Sequence, residues 1–156
     1  AEGVNYGIEM SINSEISEQL STYINLGLLE TEIQNWESRS DLEGRAQAHA
    51  PSNSFSMGMN YLPFENTYWN VNITGKSGFY YSDSHNNKSD SHVLVNTNFG
   101  YKYKDWVFEI WARNLFDEYY ATRGFFFGNE APDFADTLYE RHGDPRHIGL
   151  SIRYDF

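Results

Sequence analysis

The sequence predicts an all-β fold: an antiparallel, up-and-down segment of a transmembrane β-barrel with about seven strands. Apolar residues alternate strictly with small or polar ones up to the last residue of the chain, whereas the ends of soluble proteins usually fray. Aromatic residues make up 17% of the chain, an excess that the aromatic girdles of membrane barrels explain. Short and long connections also alternate along the chain, as they do in outer-membrane barrels.

Length and composition limit the possible classes. With 156 residues the chain is one domain or a piece of a larger one, and alternation starts almost at Ala1. We therefore expect residues 1–156 to be the C-terminal part of a barrel domain whose earlier strands are missing. The absence of cysteine excludes disulfides and thiolate metal sites. The formal net charge of -11 argues against nucleic-acid binding, which requires a basic face.

Alternation predicts each strand in turn. The strands run through residues 4–12, 20–28, 55–61, 69–81, 93–103, 106–112 and 148–156. In every strand one alternating set carries no charge, while the other set holds all the charges and most of the Asn, Gly and Ser. A cationic side chain facing lipid near the bilayer midplane costs roughly 2–4 kcal/mol, so the uncharged set is predicted to face lipid and its alternates a watery interior.

The connections between these strands fall into two classes. Residues 13–19, 62–67 and 103–105 form short links, and residues 30–52, 82–91 and 125–145 form long ones that carry most of the acidic residues. Segment 82–91 is low in complexity and is predicted to be a mobile loop tip. If the C-terminus is periplasmic, the long acidic links are extracellular.

Several short motifs resemble those of one family. Asn114-Leu115-Phe116-Asp117, followed by Tyr120, resembles the NLFD-x-x-Y pattern near the end of TonB-dependent outer-membrane receptors. Segments 143–146 (GDPR), 48–51 (AHAP) and 80–83 (YYSD) with Asn86 are similar to other markers of that family and keep its order.

The resemblance implies a barrel of roughly 22 strands in a bacterial outer membrane, of which this chain is the last part. It implies an N-terminal plug and the TonB energy-coupling complex as partners, together with outer-membrane lipid, lipopolysaccharide and the barrel-assembly machinery. The family imports ferric siderophores, haem, cobalamin and carbohydrates, and we expect a ferric siderophore here. We expect no enzyme activity, no cofactor, no metal site and no nucleic-acid partner.

The C-terminal strand and the family motif supply the first candidate residues. The lipid-matched side chains of the last strand resemble the signal read by the assembly machinery, and they are Leu150, Ile152, Tyr154 and Phe156. The motif residues 114–117 are expected to be structural, because Asn and Asp bond locally to backbone and bend or bulge a strand.

Charged and aromatic residues supply the others. Glu109 and Arg113 are predicted to face the lumen, where they contact the missing plug, each other or water. Phe125-Phe126-Phe127, which opens the last long loop, and Trp36 in the first are candidates for ligand contact or for girdle and loop packing. Five histidines have no metal-ligand spacing, and they are His49, His85, His92, His142 and His147.

Two other functions remain open from the sequence. A passive porin-type channel shares the alternation and the aromatic girdles but lacks the family markers, and its upstream sequence would contain no plug. A soluble β-sandwich carbohydrate-binding module would keep one face uncharged, yet it would stay in solution without detergent. A self-contained eight-stranded barrel fits less well, because the number of predicted strands is odd.

Overall fold

The computed structural model describes residues 1–156 and contains nine strands and one short 3-10 helix. The strands are β1 (Glu2–Ser17), β2 (Leu20–Asn35), β3 (Asn53–Tyr61), β4 (Thr67–Lys76), β5 (His92–Tyr103), β6 (Trp106–Arg113), β7 (Ala121–Gly128), β8 (Asp136–His142) and β9 (His147–Tyr154). The 3-10 helix spans Glu37–Leu42. No helix has the length and apolar character that crossing a membrane requires.

Seven of the strands form one antiparallel sheet in the order β1-β2-β3-β4-β5-β6-β9. Strands β7 and β8 form a separate two-stranded hairpin, so β9 pairs directly with β6. The up-and-down order and the seven wall strands predicted from the sequence are confirmed. The sheet is open, because β1 and β9 lie at its two edges.

The register between strands places the uncharged residues on one continuous face. One row of directly paired residues crosses five strands through Ile12, Ile24, Met57, Ile73 and Val95. Directly opposed residues share a face of the sheet. The row therefore confirms the predicted division into an uncharged face and a polar face. Many large side chains on this face are exposed, among them Ile8 at 71% and Leu150 at 79%. An apolar surface of this extent is typical of contact with lipid or protein rather than water.

Strands β1 and β2 are longer than predicted. Each has 16 residues, about 53 Å of extended chain, whereas a tilted strand crosses a membrane in about 9–11 residues. In the additional part of β2, Glu30 pairs with Tyr6 and Glu32 pairs with Val4. Charged residues therefore appear on the otherwise uncharged face only where β1 begins and β2 ends. Apolar periodicity could not reveal this extension, because the charged residues interrupt the pattern without interrupting the backbone ladder.

The links between wall strands alternate in length, as predicted. Short turns join β1 to β2, β3 to β4 and β5 to β6, with Asn66 (φ 61°) and Lys104 (φ 53°) in the left-handed region. The C-terminus lies at the same end, because Trp106 at the start of β6 pairs with Tyr154. We call this the short-turn end and the opposite one the long-loop end.

Three predictions about the long-loop end are wrong. Strand β4 stops at Lys76 rather than at residue 81, after which the chain bends and Tyr80 forms isolated bridges with Ala48 and Lys88. Residues 82–91 are not a free loop tip, because Ser89 is buried and neighbouring loops contact the segment. The segment 125–145 is not a loop but contains β8 and half of β7. The sequence pattern does not predict β7, because three consecutive Phe residues give no alternation of apolar and polar residues.

Candidate functional site: the polar wall and the long-loop cluster

The polar face of the sheet forms a concave trough of about 1070 Å³ that extends from β1 to β9. Most of its lining residues carry amides or hydroxyls, and three of them, Glu15, Glu109 and Arg113, are charged. The trough's lining residues include Tyr23, Asn72, Asn98, Glu109, Trp111, Arg113 and Ser151. The trough lies on the face that the sequence predicts to line a watery interior.

Glu109 lies on this wall within a hydrogen-bond network. Its Oε2 accepts bonds from Tyr68 Oη at 2.9 Å and from Asn98 Nδ2 at 2.6 Å. Its Oε1 receives no bond from the chain, and Glu109 takes part in none of the four ion pairs. Arg113 lies on the same face with its guanidinium 5.5 Å from the centre of the Trp111 ring. The two predicted residues therefore share the wall but do not pair with each other.

Aromatic rings on this wall lie across glycines of the neighbouring strands. Trp111 covers Gly149 and Tyr68 covers Gly100, where an added Cβ atom would overlap the ring. The polar ends of the rings are bonded: Trp111 Nε1 donates to Ser151 Oγ at 3.0 Å, and Tyr68 Oη donates to Glu109. The wall thus keeps a smooth surface with its polar groups held in fixed positions.

The same arrangement at Gly58 allows a test by substitution. A Cβ at Gly58 would lie 2.6 Å from Tyr23 Cε1 and 2.7 Å from the carbonyl oxygen of Val71. We expect Gly58→Ala to lower the free energy of unfolding of the full-length protein by about 1–3 kcal/mol, because an overpacked site must distort. Urea unfolding in lipid vesicles measures this difference.

Gly27 provides the matched control for this substitution, because its nearest neighbour to an added Cβ is a hydroxyl, Ser54 Oγ at 3.0 Å. Gly27→Ala is expected to leave the unfolding free energy within about 0.5 kcal/mol of the parent. Equal effects at Gly58 and Gly27 would contradict the ring-on-glycine packing.

At the long-loop end, Arg45 joins two loops, loop A (residues 36–52) and loop B (residues 77–91). Its Nη1 donates to the carbonyl oxygen of His85 at 2.9 Å and to Asn86 Oδ1 at 2.8 Å. Its Nη2 donates to the carbonyl oxygen of Ser82 at 3.2 Å and to Asp83 Oδ1 at 3.0 Å. The Arg45 side chain is only 9% exposed. Arg45 holds residues 82–86 of loop B against loop A, and the bridge between Ala48 and Tyr80 joins the two loops nearer the wall.

Tyr81 joins loop B to the β7–β8 hairpin. Its ring covers Gly124 of β7, and its hydroxyl donates to Glu140 Oε1 of β8. Burial of the ring, together with the Glu140 carboxylate, raises the pKa of the Tyr81 hydroxyl above its usual value. The neutral phenol is therefore the form that holds the hairpin.

The raised pKa of Tyr81 predicts how docking of the hairpin depends on pH. The docked state favours the protonated phenol, so its contribution is fully present below about pH 10 and is lost as pH rises through the raised pKa. Tyr81→Phe, which removes the donor to Glu140, is expected to weaken docking by about 1–2 kcal/mol at neutral pH. Hydrogen exchange of β7 and β8 measures both effects. Tyr139→Phe on the other face of the hairpin is the control and should leave exchange of Gly124 unchanged.

The family motif closes the connection between β6 and β9. Asn114 is buried in the left-handed region (φ 47°), and its Oδ1 accepts a bond from the backbone N–H of Glu118 at 2.8 Å. Its Nδ2 donates to the carbonyl oxygens of Glu118 at 2.9 Å and of Asp144 at 3.1 Å. Asp117 Oδ1 accepts from the backbone N–H of Arg146 at 2.8 Å. These bonds tie the end of β6 to the chain entering β9.

The other motif residues pack around this turn in different ways. Leu115 donates its backbone N–H to the carbonyl oxygen of Val95 at 2.8 Å, whereas the Phe116 side chain is 73% exposed. The ring of Tyr120 lies across Gly143, with its centre 4.6 Å from that of the His92 ring.

Leu150, Ile152 and Tyr154 lie where the alternation predicts, but β9 ends at Tyr154 rather than at residue 156, so Phe156 follows the strand instead of belonging to it. Leu150 and Ile152 pair with Ile110 and Phe108 on the uncharged face, and Tyr154 pairs with Trp106. The rings of Tyr154 and Trp106 lie 4.8 Å apart, and Phe156 is fully exposed beyond them. The last strand therefore presents an unbroken apolar stripe at the short-turn end.

The predicted aromatic residues of the long links do not form one site. Phe125 and Phe127 share one face of the hairpin, whereas Phe126 is on the opposite face with its ring 5.5 Å from that of His85. Trp36 precedes the 3-10 helix of loop A and lines a different depression from the one that contains Phe125–Phe127.

Sequence reasoning missed Arg45 and Tyr81. Both act through partners about 40 or more positions away: Arg45 is isolated in the sequence, and the family-like segment 80–83 contains Tyr81 and Asp83 without indicating what they contact. The ring-on-glycine pairs are visible only once the register is known, because each joins two strands.

The chain is similar to known proteins in both sequence and fold. A family model described as "TonB dependent receptor-like, beta-barrel" matches residues 1–115. Among solved structures, the chain is similar to the ferric yersiniabactin uptake receptor FyuA from Yersinia pestis, with a TM-score of 0.82 and 17% identity over 99% of this chain and 24% of that one. The siderophore receptor PiuA from Acinetobacter baumannii gives a TM-score of 0.80 and 15% identity over 97% of this chain and 22% of that one.

BauA, the ferric preacinetobactin receptor from Acinetobacter baumannii, gives a TM-score of 0.70 and 21% identity over 99% of this chain and 22% of that one. At these identities the structural matches establish the fold. The chain spans less than a quarter of the length of these receptors. Since the family model covers residues 1–115, this chain belongs to the TonB-dependent receptor family and forms part of its β-barrel.

Proposed function

We propose that residues 1–156 are the C-terminal wall of the barrel of an energy-coupled receptor that imports a ferric siderophore across a bacterial outer membrane. The observation that carries the proposal is the seven-stranded wall with one uncharged face and one polar face, in a chain that the family model matches. The similar structures described above are, by name, receptors for siderophores or their iron complexes.

In this mechanism the wall is a rigid frame. The long-loop end faces outwards and captures the iron complex, and a plug inside the barrel rearranges when TonB acts on it. The uncharged face contacts outer-membrane lipid, and the rim at the long-loop end contacts lipopolysaccharide. The plug and the TonB-contacting segment belong to portions of the receptor other than this wall.

We further propose that Glu109 is a plug contact. Its Oε1 has no partner in the chain, and a half-buried carboxylate gains stability from a cationic or N–H donor. A donor group on the facing plug surface would complete the coordination of this carboxylate. Arg113, on the same wall and outside any ion pair, is proposed to bind an acceptor on the plug.

The C-terminal stripe is proposed as the signal for barrel assembly. Leu150, Ile152 and Tyr154 present alternate apolar side chains on an edge strand whose other side has no partner in this chain, and Phe156 follows directly after that strand. An edge strand of this type can pair with another strand, which is the contact that an assembly machine must make.

We propose that four aromatic residues contact the ligand to different extents: Phe125, Phe126, Phe127 and Trp36. Phe125 and Phe127 are 45% and 46% exposed at the long-loop end, which favours contact with an arriving complex. The Phe126 ring already lies against the His85 ring, and Trp36 lies in a separate depression. Phe126 and Trp36 are therefore expected to contribute less to ligand binding than Phe125 and Phe127.

Uptake by the full-length parent receptor tests this function. Cells that express it as their single siderophore receptor should accumulate radioactive iron from at least one ferric siderophore, and deletion of TonB should abolish that uptake. Equal uptake with and without TonB would contradict the proposal and favour a passive channel. A protein that stays in solution without detergent would favour the soluble carbohydrate-binding module instead.

A further inference from the structure

The β7–β8 hairpin has two chemically different faces. One face, with Gly124, Phe126 and Glu140, contacts loop B. The opposite one, which we call the arginine face, consists of Arg123, Phe125, Phe127, Tyr139 and Arg141. No side-chain hydrogen bond, ion pair or ring contact joins the arginine face to loop B, although Arg123, Phe125 and Phe127 line the same depression as residues 81–85.

Two arginines lie directly opposite each other on the arginine face. Arg123 of β7 pairs in register with Arg141 of β8, so their Cβ atoms are about 4.5–5.5 Å apart. Like charges at directly opposed positions repel each other and destabilise a strand pair. Both side chains are exposed, so the hairpin keeps two neighbouring cations at its surface.

Neither of these arginines has a carboxylate partner. The chain contains 22 acidic and 11 basic residues, and Arg39, Arg45 and Arg153 each form an ion pair. Arg123 and Arg141 form none. In a chain with so many acids, two adjacent arginines without a partner leave their donors free for an external anion.

Aromatic rings surround the arginine pair. The guanidinium carbon of Arg123 lies 5.1 Å from the centre of the Phe125 ring, and the rings of Phe127 and Tyr139 are 5.3 Å apart. The acid near these rings, Glu130, already accepts a hydrogen bond from Tyr139 Oη at 3.2 Å. The face thus combines planar apolar surface with two forked donors.

We propose that the arginine face binds an anionic iron complex that carries aromatic rings, of the tris-catecholate class. This inference rests on the proposed import function and specifies the charge class of the ligand. Each guanidinium can donate two parallel hydrogen bonds to the anionic oxygens, and the rings of the complex can pack on Phe125 and Phe127. One bound anion relieves the repulsion between the two arginines.

The overall charge supports the same class of ligand. Within this part of the receptor the 22 acidic residues outnumber the 11 basic ones, so an anionic ligand is attracted only where cations are concentrated at the surface. A neutral tris-hydroxamate complex would gain nothing from two unpaired arginines.

Binding to the purified full-length receptor in detergent tests the inference, with the trianionic ferric tris-catecholate and a neutral ferric tris-hydroxamate as probes. The double variant Arg123→Gln/Arg141→Gln should bind the anionic probe at least about tenfold more weakly, because it loses two charge-assisted contacts, and the neutral probe unchanged. Arg141→Glu should lose as much affinity although it places a carboxylate opposite Arg123 and so stabilises the hairpin. Arg39→Gln, which removes the same charge from a paired arginine of loop A, is the control and should bind like the parent.

Unchanged affinity of the double variant for the anionic probe would overturn the inference, as would an equal loss for both probes. Binding of the neutral probe alone by the parent would overturn the inference and leave the import function standing. Failure of the parent to bind any ferric complex would contradict the import function and the inference together.

Discussion

Ile73→Arg is expected to lower the free energy of unfolding of the full-length receptor in lipid by about 2–4 kcal/mol. Ile73 lies in the middle of the uncharged row, paired with Met57 on one side and Val95 on the other. A guanidinium at this position faces hydrocarbon with no acceptor on the surrounding side chains, so it must reach for the headgroups or draw water into the bilayer. Urea titration of the folded receptor in vesicles, followed by tryptophan fluorescence, measures the loss.

The neighbouring residue provides the control for Ile73→Arg. Thr74 lies one position along β4 and pairs with Ser56 and Leu94 on the polar face. Thr74→Arg introduces the same group into a wet interior and is expected to change the unfolding free energy by less than about 1 kcal/mol. Equal losses at Ile73 and Thr74 would mean that both faces see the same surroundings, which contradicts the assignment of lipid to one of them.

Arg45→Ala is expected to release loop B from loop A, with opening of loop B favoured by about 2–3 kcal/mol. The substitution removes four hydrogen bonds and leaves Asp83 and the carbonyl oxygens of Ser82 and His85 without their donor. Hydrogen exchange in residues 77–91 and proteolysis of that segment measure the opening. Unfolding of the wall strands should not change, because these contacts lie outside them.

Two further variants separate the geometry of Arg45 from its charge. Arg45→Lys keeps the charge but cannot donate from a planar fork to partners on two sides, so most of the exchange protection should still be lost. Arg39→Ala removes an exposed arginine that bonds only to Asp41, two residues away, and should leave loop B unchanged. Full protection of loop B in Arg45→Lys would show that charge alone holds the loops together.

The wall was predictable from the sequence because lipid imposes a strict rule on it. A charge facing hydrocarbon is costly, so alternate positions in each wall strand are uncharged, and this contrast is visible in the sequence itself. The seven strands, their order and the face of each side chain follow from that contrast, including Glu109 on the polar face and Ile110 on the uncharged face.

Structure beyond the membrane was not predictable in the same way, because water imposes no such rule. Towards its C-terminal end β2 carries Glu30 and Glu32 on the face that is otherwise uncharged, so the apolar alternation stops while β2 continues and stays paired with β1. The β7–β8 hairpin contains Phe125, Phe126 and Phe127 in succession, a run that gives no period of two.

The candidate site was predictable only in part. Position along a strand placed Glu109 and Arg113 on the interior wall, and the Asn114–Asp117 motif at a turn. The arrangement of Arg45 around loop B and the opposition of Arg123 and Arg141 depend on tertiary contacts and on register. A single sequence does not contain this information.

The most direct test of the two-faced wall is a spin-label scan along β4 in the full-length receptor. Residues 1–156 contain no cysteine, so a single introduced cysteine at each of residues 69–74 is the only labelling site in this part of the receptor, and any cysteine elsewhere in the receptor is first replaced by serine. Labels at Trp69, Val71 and Ile73 should collide mainly with dissolved oxygen, which concentrates in lipid, and labels at Asn70, Asn72 and Thr74 with a polar relaxation reagent. Alternation with a period of two is the predicted result, and equal exposure of all six labels to the polar reagent would contradict it.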